Sequence, residues 1–345
     1  ILILIPTLVG LSFLMFILTH VSGTNILLAE YINPHLSGAA RDAAVQALTA
    51  RFHLNDPIYV QFFYWFWNVL QGDLGTTTTP SDLPVSTAIV WFMPNTLVLT
   101  LVASILTWVL AVPIGVYSAV RRDSVLDQTV RVASFTLYSM PFFMIAFAIL
   151  ILFGFTWPIV AFPIGNLTPI LYTQLKGLDW FNSVSVSSPT HILFIDAALH
   201  GYWTVSWDAL LHSLLPALSL TLALLAGIIR ILRASMLEVL DQDYVRLARA
   251  KGLPERMVNN LHARKNALLP TVTSFGYLVA GLLGGAVIIE DIFNYKGIGW
   301  WTTAALLNGD TGGVLGSTFV FGIILVLTTL ILDVLYALLD PRIRY

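Results

Sequence analysis

The 345-residue chain has no cysteine, and only 10% of its residues are charged. Without thiols it can form no disulfide, no thiolate nucleophile and no Cys-ligated zinc site. Soluble domains carry about 25% charged residues, so the shortage of charge argues against an ordinary water-facing surface. None of Lys176, Lys251, Lys265 and Lys296 follows a glycine, so there is no GxxxxGK[ST] phosphate loop. The histidines form no HExxH pair, and no GxSxG elbow occurs. Repeats of fixed period and low-complexity tracts are also missing.

What fills the chain is apolar. It is 57% hydrophobic, with a mean hydropathy of +0.82. Residues of this kind, in long runs, belong in lipid. Six runs meet or approach the ~20 residues a spanning helix needs: Ile1–Val21, Asn95–Val120, Val132–Trp157, Leu210–Leu232, Thr271–Ile289 and Val314–Leu339. They are too long and continuous for barrel strands. The expected fold class is an all-α membrane protein with six transmembrane helices. The first run is longer than a signal-peptide core and lacks an A-x-A site, so it reads as a retained span. The sequence opens at Ile1 without Met or a basic flank, and residues preceding it are expected.

Lys and Arg set the orientation. Thirteen of the 17 fall in one set of alternating loops: Arg121, Arg122, Arg131, Arg230, Arg233, Arg246, Arg249, Lys251, Arg256, Arg264, Lys265, Arg342 and Arg344. Arg41, Arg51, Lys176 and Lys296 fall in the other. The positive-inside rule puts the first set, and both termini, in the cytoplasm. Pro57–Leu70 is aromatic but too short to span, and reads as an interfacial helix. The external loop at about 158–209 is rich in Pro, Gly, Ser and Trp, which suggests short elements.

The largest inside loop contains DYVRLARAKGLPERMVNNLHARKNALLP, residues 243–270. Leu237, Leu240, Tyr244, Leu247 and Ala248 recur at spacings of three and four, which predicts one apolar face. Gly252 suits a left-handed helix end, Pro254 the first turn of a second helix, and Pro270 entry into the fifth span. The pattern predicts a helix–Gly–helix elbow. An amphipathic elbow on anionic lipid and a docking surface for a cytoplasmic partner both fit it. A DNA-reading helix pair lodged between two spans could hardly reach a major groove.

DYVRLARAKGL followed by NALLP resembles the EAA loop of binding-protein-dependent ABC importer permeases, and most of all the B-type subunit of the oligopeptide/dipeptide permease family. HVSG, QGDLGTT, MPNTLVLT, PIGVYSAVRRDSVLDQTVR, SMPFFM, LLGGAVIIEDIFNYKGIG and LDVLYALLDPRIRY match that family's segments in order. Arg246, Leu247 and Ala248 stand where the general pattern has Glu, Ala and Ala, which narrows the resemblance to the peptide-type branch. NGDTGGVLGST departs from the family's usual outer-loop sequence.

The resemblance implies a type I ABC importer permease fold. Residues 1–91 form the first span and an external loop with the interfacial helix. Residues 92–345 form the permease core, with the insertion at about 158–209 and the coupling elbow at about 237–270. It implies no catalytic residue and no cofactor in this chain. ATP and Mg are bound by two ATPase subunits. The other partners are a homologous second permease (C-type), an external solute-binding protein and membrane lipid, with no nucleic acid. The implied ATPase-coupling residues are Asp243, Tyr244, Val245, Arg246, Leu247, Ala248, Arg249, Ala250, Lys251, Gly252 and Leu253. Peptides are the implied substrate, with oligosaccharides or another small solute as the alternative. An ion-coupled secondary transporter would need inverted repeats and broken helices around midplane charges, and leaves the elbow unexplained.

Other polar and small residues carry two readings each. Ser139, Met140 and Pro141 could loosen the third span and border the translocation path, or simply pack. Gly281, Gly284 and Gly285 suit close helix packing, and Gly284 and Gly285 could alternatively line the path. Glu290 and Asp291 could touch the binding protein or be solvated. Asn95 is placed to cap the second span. Asp333 could join a proton relay, or pair with a nearby arginine.

Overall fold

A computed structural model describes residues 4–21, 37–51, 53–80, 82–156, 164–176, 178, 181 and 190–339. The chain is almost wholly helical, with a two-residue antiparallel ladder, β1 (Thr76–Thr77) on β2 (Leu83–Pro84). Two compact units are present: residues 1–95 with 296–327, and residues 96–295 with 328–345.

In the first unit, α1 (Leu4–Val21), α2 (Ala39–Arg51) and α3 (Ile58–Leu70) precede the ladder. The expected interfacial helix is α3, entered through Pro57. Its aromatics meet α1 edge-on, with Phe62 4.9 Å from Phe13 and 5.6 Å from Phe16 between ring centroids. Tyr59, Phe63, Tyr64 and Trp67 remain exposed, as suits a helix at the headgroup level. After the ladder comes α4 (Val85–Val120). α4 starts ten residues before the sequence suggested. Asn95 is therefore no cap: it lies inside α4 and donates from Nδ2 to the Lys296 carbonyl, 2.9 Å away. The Lys296 ammonium sits 3.2 Å from the Trp300 ring centroid. Burial pulls it down to about 8, so the charge held over the indole is half lost near that pH.

NGDTGG, the departing outer-loop sequence, has a clear structural use. α13 (Ile298–Leu307) ends before Asp310, which opens α14 (Thr311–Leu339). The fully buried Asp310 carboxylate accepts from the Thr77 hydroxyl, from the Thr78 and Thr79 amides at 3.0 Å each, and from the Gly313 amide at 2.8 Å. Trp301 Nε1 donates to the Thr79 carbonyl at 2.7 Å. One carboxylate thus caps a helix and holds the ladder. Asp310→Ala removes the acceptor shared by the Thr77 hydroxyl and the Thr78, Thr79 and Gly313 amides, leaving Thr77 and Thr79 only their mutual bonds at 3.0 and 3.3 Å, and should destabilise this unit by about 2 kcal/mol. Hydrogen exchange should show the Thr78 and Thr79 amides losing protection, while the exposed Asp82→Ala leaves them unchanged.

The second unit holds the rest of α4, then α5 (Val125–Ser139), α6 (Phe142–Ile149) and a π-helical continuation, Leu150–Thr156. α7 (Pro169–Leu175) and α8 (Leu193–Leu199) come from the insertion. They share a core of Leu167, Leu175, Ala197, Val205 and Ala209 with the start of α9 (Trp203–Leu240). Asp208 of α9 accepts from Thr168 N and Oγ1, at the start of α7, at 2.8 and 2.7 Å. The main core joins Leu99, Ile145, Ile149, Leu215, Leu220, Leu282 and Ile289.

Among the described residues, three helices are long and apolar enough to cross a membrane: Val85–Val120, Trp203–Leu240 and Thr311–Val334. Two bent pairs raise the number to five, and α1 is a shorter apolar helix. The third expected span is not straight. Val125–Ser139 and Phe142–Thr156 meet at 107°. Pro141 causes the corner: the residue before proline is driven out of the α region, and Met140 is extended at φ −85°, ψ 132°.

Candidate functional site

α9 stops where Asp241 and an extended Gln242 break it, and α10 (Asp243–Ala250) restarts the helix. The break resets the helical phase. The residues α10 buries are Val245 and Ala248, while Tyr244 and Leu247 are 42% and 56% exposed. The expected stripe through Tyr244 and Leu247 is thus corrected, because it assumed unbroken periodicity from Leu237. Val245 and Ala248 rest on Val258, with Val239, Leu240 and Leu253 packed around them. Burying Val245 alone is worth roughly 1.5–3 kcal/mol, more than any exposed ion pair on this helix.

Gly252 closes α10 as the sequence suggested, at φ +73°. Its amide donates to the Arg249 carbonyl (2.9 Å), and the Leu253 amide donates to the Ala248 carbonyl (3.4 Å). That is the Schellman pattern, and the accompanying apolar contact of Leu253 with the Ala248 cluster is present. Pro254 then precedes α11 (Glu255–Met257), a π-turn at Val258–Ala263, and α12 (Arg264–Ile292). The π-turn shifts phase again: Val258, Ala263 and Ala267 are buried, whereas Leu261 within the turn is exposed. Pro270 lies inside α12 instead of starting it.

Side chains brace the elbow. Arg249 Nε meets Glu255 Oε1 at 3.0 Å across the glycine turn. Asn266 Nδ2 donates to Tyr244 Oη at 2.9 Å, tying α10 to α12. Outside these braces, α10 presents Asp243, Arg246, Leu247 and Ala250 to the exterior, followed by the exposed Lys251 at its C-cap. Arg246 and Asp243 lie 3.7 Å apart, both well exposed, a pair worth little in water.

Behind the elbow stands an anchor that sequence reasoning missed. Asp127, fully buried in the first turn of α5, accepts from Arg233 Nε and Nη2 of α9 at 2.7 and 2.9 Å. Ser118 Oγ of α4 donates to it at 2.5 Å, and the Asp123 amide at 2.9 Å. Arg131 approaches to 3.5 Å. The local signal was legible: SVLD places Ser124 as N-cap, accepting from the Asp127 amide at 3.3 Å. The distant Arg partner, 106 residues on, had no local signal. Ala119, Leu232, Met236, Ala263 and Ala267 pack beside this anchor. Gly115 lets the helices approach closely there: a Cβ would lie 3.1 Å from the Leu232 side chain. The ends of α4 and α9 and the start of α12 therefore form one block, with α10 seated on it.

Residues 111–345 match the family model described as "Binding-protein-dependent transport system inner membrane component". The chain belongs to that family. It is 36% identical over 344 residues to the dipeptide transport system permease protein of Escherichia coli, covering 99% of this chain and 96% of the relative. It is 33% identical over 341 residues to an oligopeptide transport system permease protein of Bacillus subtilis, with the same coverage. A di/tripeptide transport system permease protein of Pseudomonas aeruginosa is 33% identical over 348 residues, again covering 99% and 96%. The match contains the whole elbow and its anchor, so both sit in the part of this transport-system component that its family shares.

The remaining site residues of this inner-membrane component are scattered. Ser139, Met140 and Pro141 form the 107° corner, with Ser139 and Pro141 exposed. Gly284 and Gly285 lie within α12, but their surroundings fall outside the described residues. Gly281 faces open space; the close approach on α12 is at Gly276, against Leu332 of α14. Glu290 is fully buried, with the Thr96 hydroxyl donating to Oε1 at 2.5 Å, whereas Asp291 is exposed. Asp333 is exposed, and its neighbour is the Tyr277 hydroxyl at 3.5 Å instead of an arginine.

Proposed function

We propose that this chain is the permease subunit of an ATP-driven importer of short peptides, working with a second permease, two ATPase subunits and an external solute-binding protein. The peptide class follows the three relatives, each named for di-, tri- or oligopeptide transport. ATP and Mg belong to the ATPase partners. The observation that carries the coupling role is the two-sided build of α10. Val245 and Ala248 fix it to the spans, while Leu247 and Arg246 are left for a partner. A force applied to the exposed side would reach α9 and α12 through packed side chains and the Tyr244–Asn266 bond. Asp291, the exposed member of its pair, is the better contact for the binding protein. Ser139, Met140 and Pro141 border the proposed translocation path, and a broken helix in a membrane is tolerated where it lines protein or a cavity.

The chain should copurify with a second permease and an ATPase. The absence of cysteine makes single-cysteine labelling clean. A membrane-impermeant thiol reagent should reach Arg256→Cys only from the cytoplasm and Lys176→Cys only from outside. A chain that runs alone and transports on a proton gradient without ATP contradicts the proposal, as does the opposite labelling pattern.

A further inference from the structure

Close to the elbow, α5 and α9 bound a cavity of about 680 Å³. Its apolar wall includes Val132, Phe135 and Ile229, and its cations are Arg131, Arg230 and Arg233. Val132 and Phe135 are 68% and 72% exposed, so the cleft is open. The cations are unequally satisfied. Arg233 is bound to Asp127 at 2.7 Å, and Arg131 lies 3.5 and 3.6 Å from Asp127 and Asp123. The two carboxylates are shared by Arg233, Arg131 and, at 3.4 Å from Asp123, Arg122, and Arg230 has neither of them. Among the described residues no carboxylate lies within 4.0 Å of it. Its guanidinium carbon stacks 4.0 Å over the Tyr138 ring centroid, which holds it at the cavity wall.

Height matters as well. Arg230 is ten residues before the end of α9, roughly 15 Å along a helix, on the side where α9 leads into the elbow. An unneutralised cation beside exposed Val and Phe, at the basic end of an apolar helix, suits a ligand with an anionic head and an apolar tail. A free phosphate would meet the charge and leave the apolar wall uncovered. Basic pockets between helices on the cytoplasmic side accept acidic lipid headgroups.

We propose that this cleft binds one acidic phospholipid, its phosphate on Arg230 and Arg131 and an acyl chain along Val132 and Phe135. The inference goes beyond the importer reading, since the site is separate from the coupling face of α10. The test is native mass spectrometry of the intact transporter, incubated with equal amounts of phosphatidylglycerol and phosphatidylcholine. The wild type should retain phosphatidylglycerol in preference. Arg230→Gln with Arg131→Gln should lower that retention about fivefold or more, with phosphatidylcholine unchanged, and Arg230→Lys should keep most of it. Should the pair of substitutions impair assembly, Arg230→Gln alone carries the same direction of effect, because its side chain touches a ring and no carboxylate. Unchanged phosphatidylglycerol in the substituted complexes overturns the proposal. So does displacement of the lipid by millimolar inorganic phosphate. Protection of Arg230→Cys from labelling by the second permease in lipid-depleted complex overturns it too, since a protein surface would then fill the cleft.

Discussion

Asp127→Ala is expected to destabilise the permease by about 3–5 kcal/mol, enough to remove most folded protein. The carboxylate is fully buried and receives Arg233, Ser118 and the Asp123 amide. Without it the Arg233 guanidinium, only 18% exposed, keeps its burial cost and loses its counter-charge. The Ser118 hydroxyl and the Asp123 amide lose an acceptor as well. The size of the loss does not mean that the pair itself adds so much, because most of it is the penalty for a stranded charge. Replacing both members with apolar residues, Asp127→Leu with Arg233→Met, should therefore recover much of the stability. Monodisperse yield and the unfolding midpoint of the intact transporter read both outcomes. Equal losses in the single and paired variants would show that the carboxylate acts through its hydrogen bonds to Ser118 and Asp123.

Leu247→Asp is expected to weaken ATPase association by about thirtyfold, which is the ~2 kcal/mol of an interface hot spot, with stability of the chain within about 0.5 kcal/mol of wild type. The structure selects this position. Ala248 lies on the buried side of α10, so Ala248→Glu would push a carboxylate into the Val245–Val258 cluster and unseat the helix. Gly252→Pro would force φ from +73° towards −65° and remove the amide that bonds the Arg249 carbonyl. Both should abolish transport while the bundle stays inserted, but by deforming the elbow itself. Leu247 is more than half exposed and lies outside the Val245–Val258 cluster, so its substitution probes the docking surface with the elbow's packing kept. ATPase association equal to wild type in the Leu247→Asp complex would place the contact elsewhere.

Much of this arrangement is legible in the sequence where the signal is local. PIYVQFFYWFWNVL is aromatic, apolar and short, and its helix runs Ile58–Leu70. Gly252 marks the left-handed turn because few other residues adopt it without strain. Reasoning fails where the backbone changes phase. The Asp241–Gln242 break and the π-turn at Val258–Ala263 each rotate the faces that follow, so periodicity carried across them assigns the wrong residues to the core. The corner at Met140 was visible as a proline, but its 107° angle is set by packing, for which one sequence holds no signal. The same applies to Asp310 and Asp127. Each is a polar residue near a helix start, and what it does depends on partners more than 100 residues away.

Cross-linking from α10 to the ATPase tests the coupling role most directly, and the cysteine-free chain permits it without background. In the intact transporter, Leu247→Cys carrying a short cross-linker should join the ATPase subunit, whereas Val245→Cys, buried against Val258, should not. A Leu247→Cys side chain that stays equally open to a water-soluble thiol reagent, whether or not the ATPase is bound, would contradict the account.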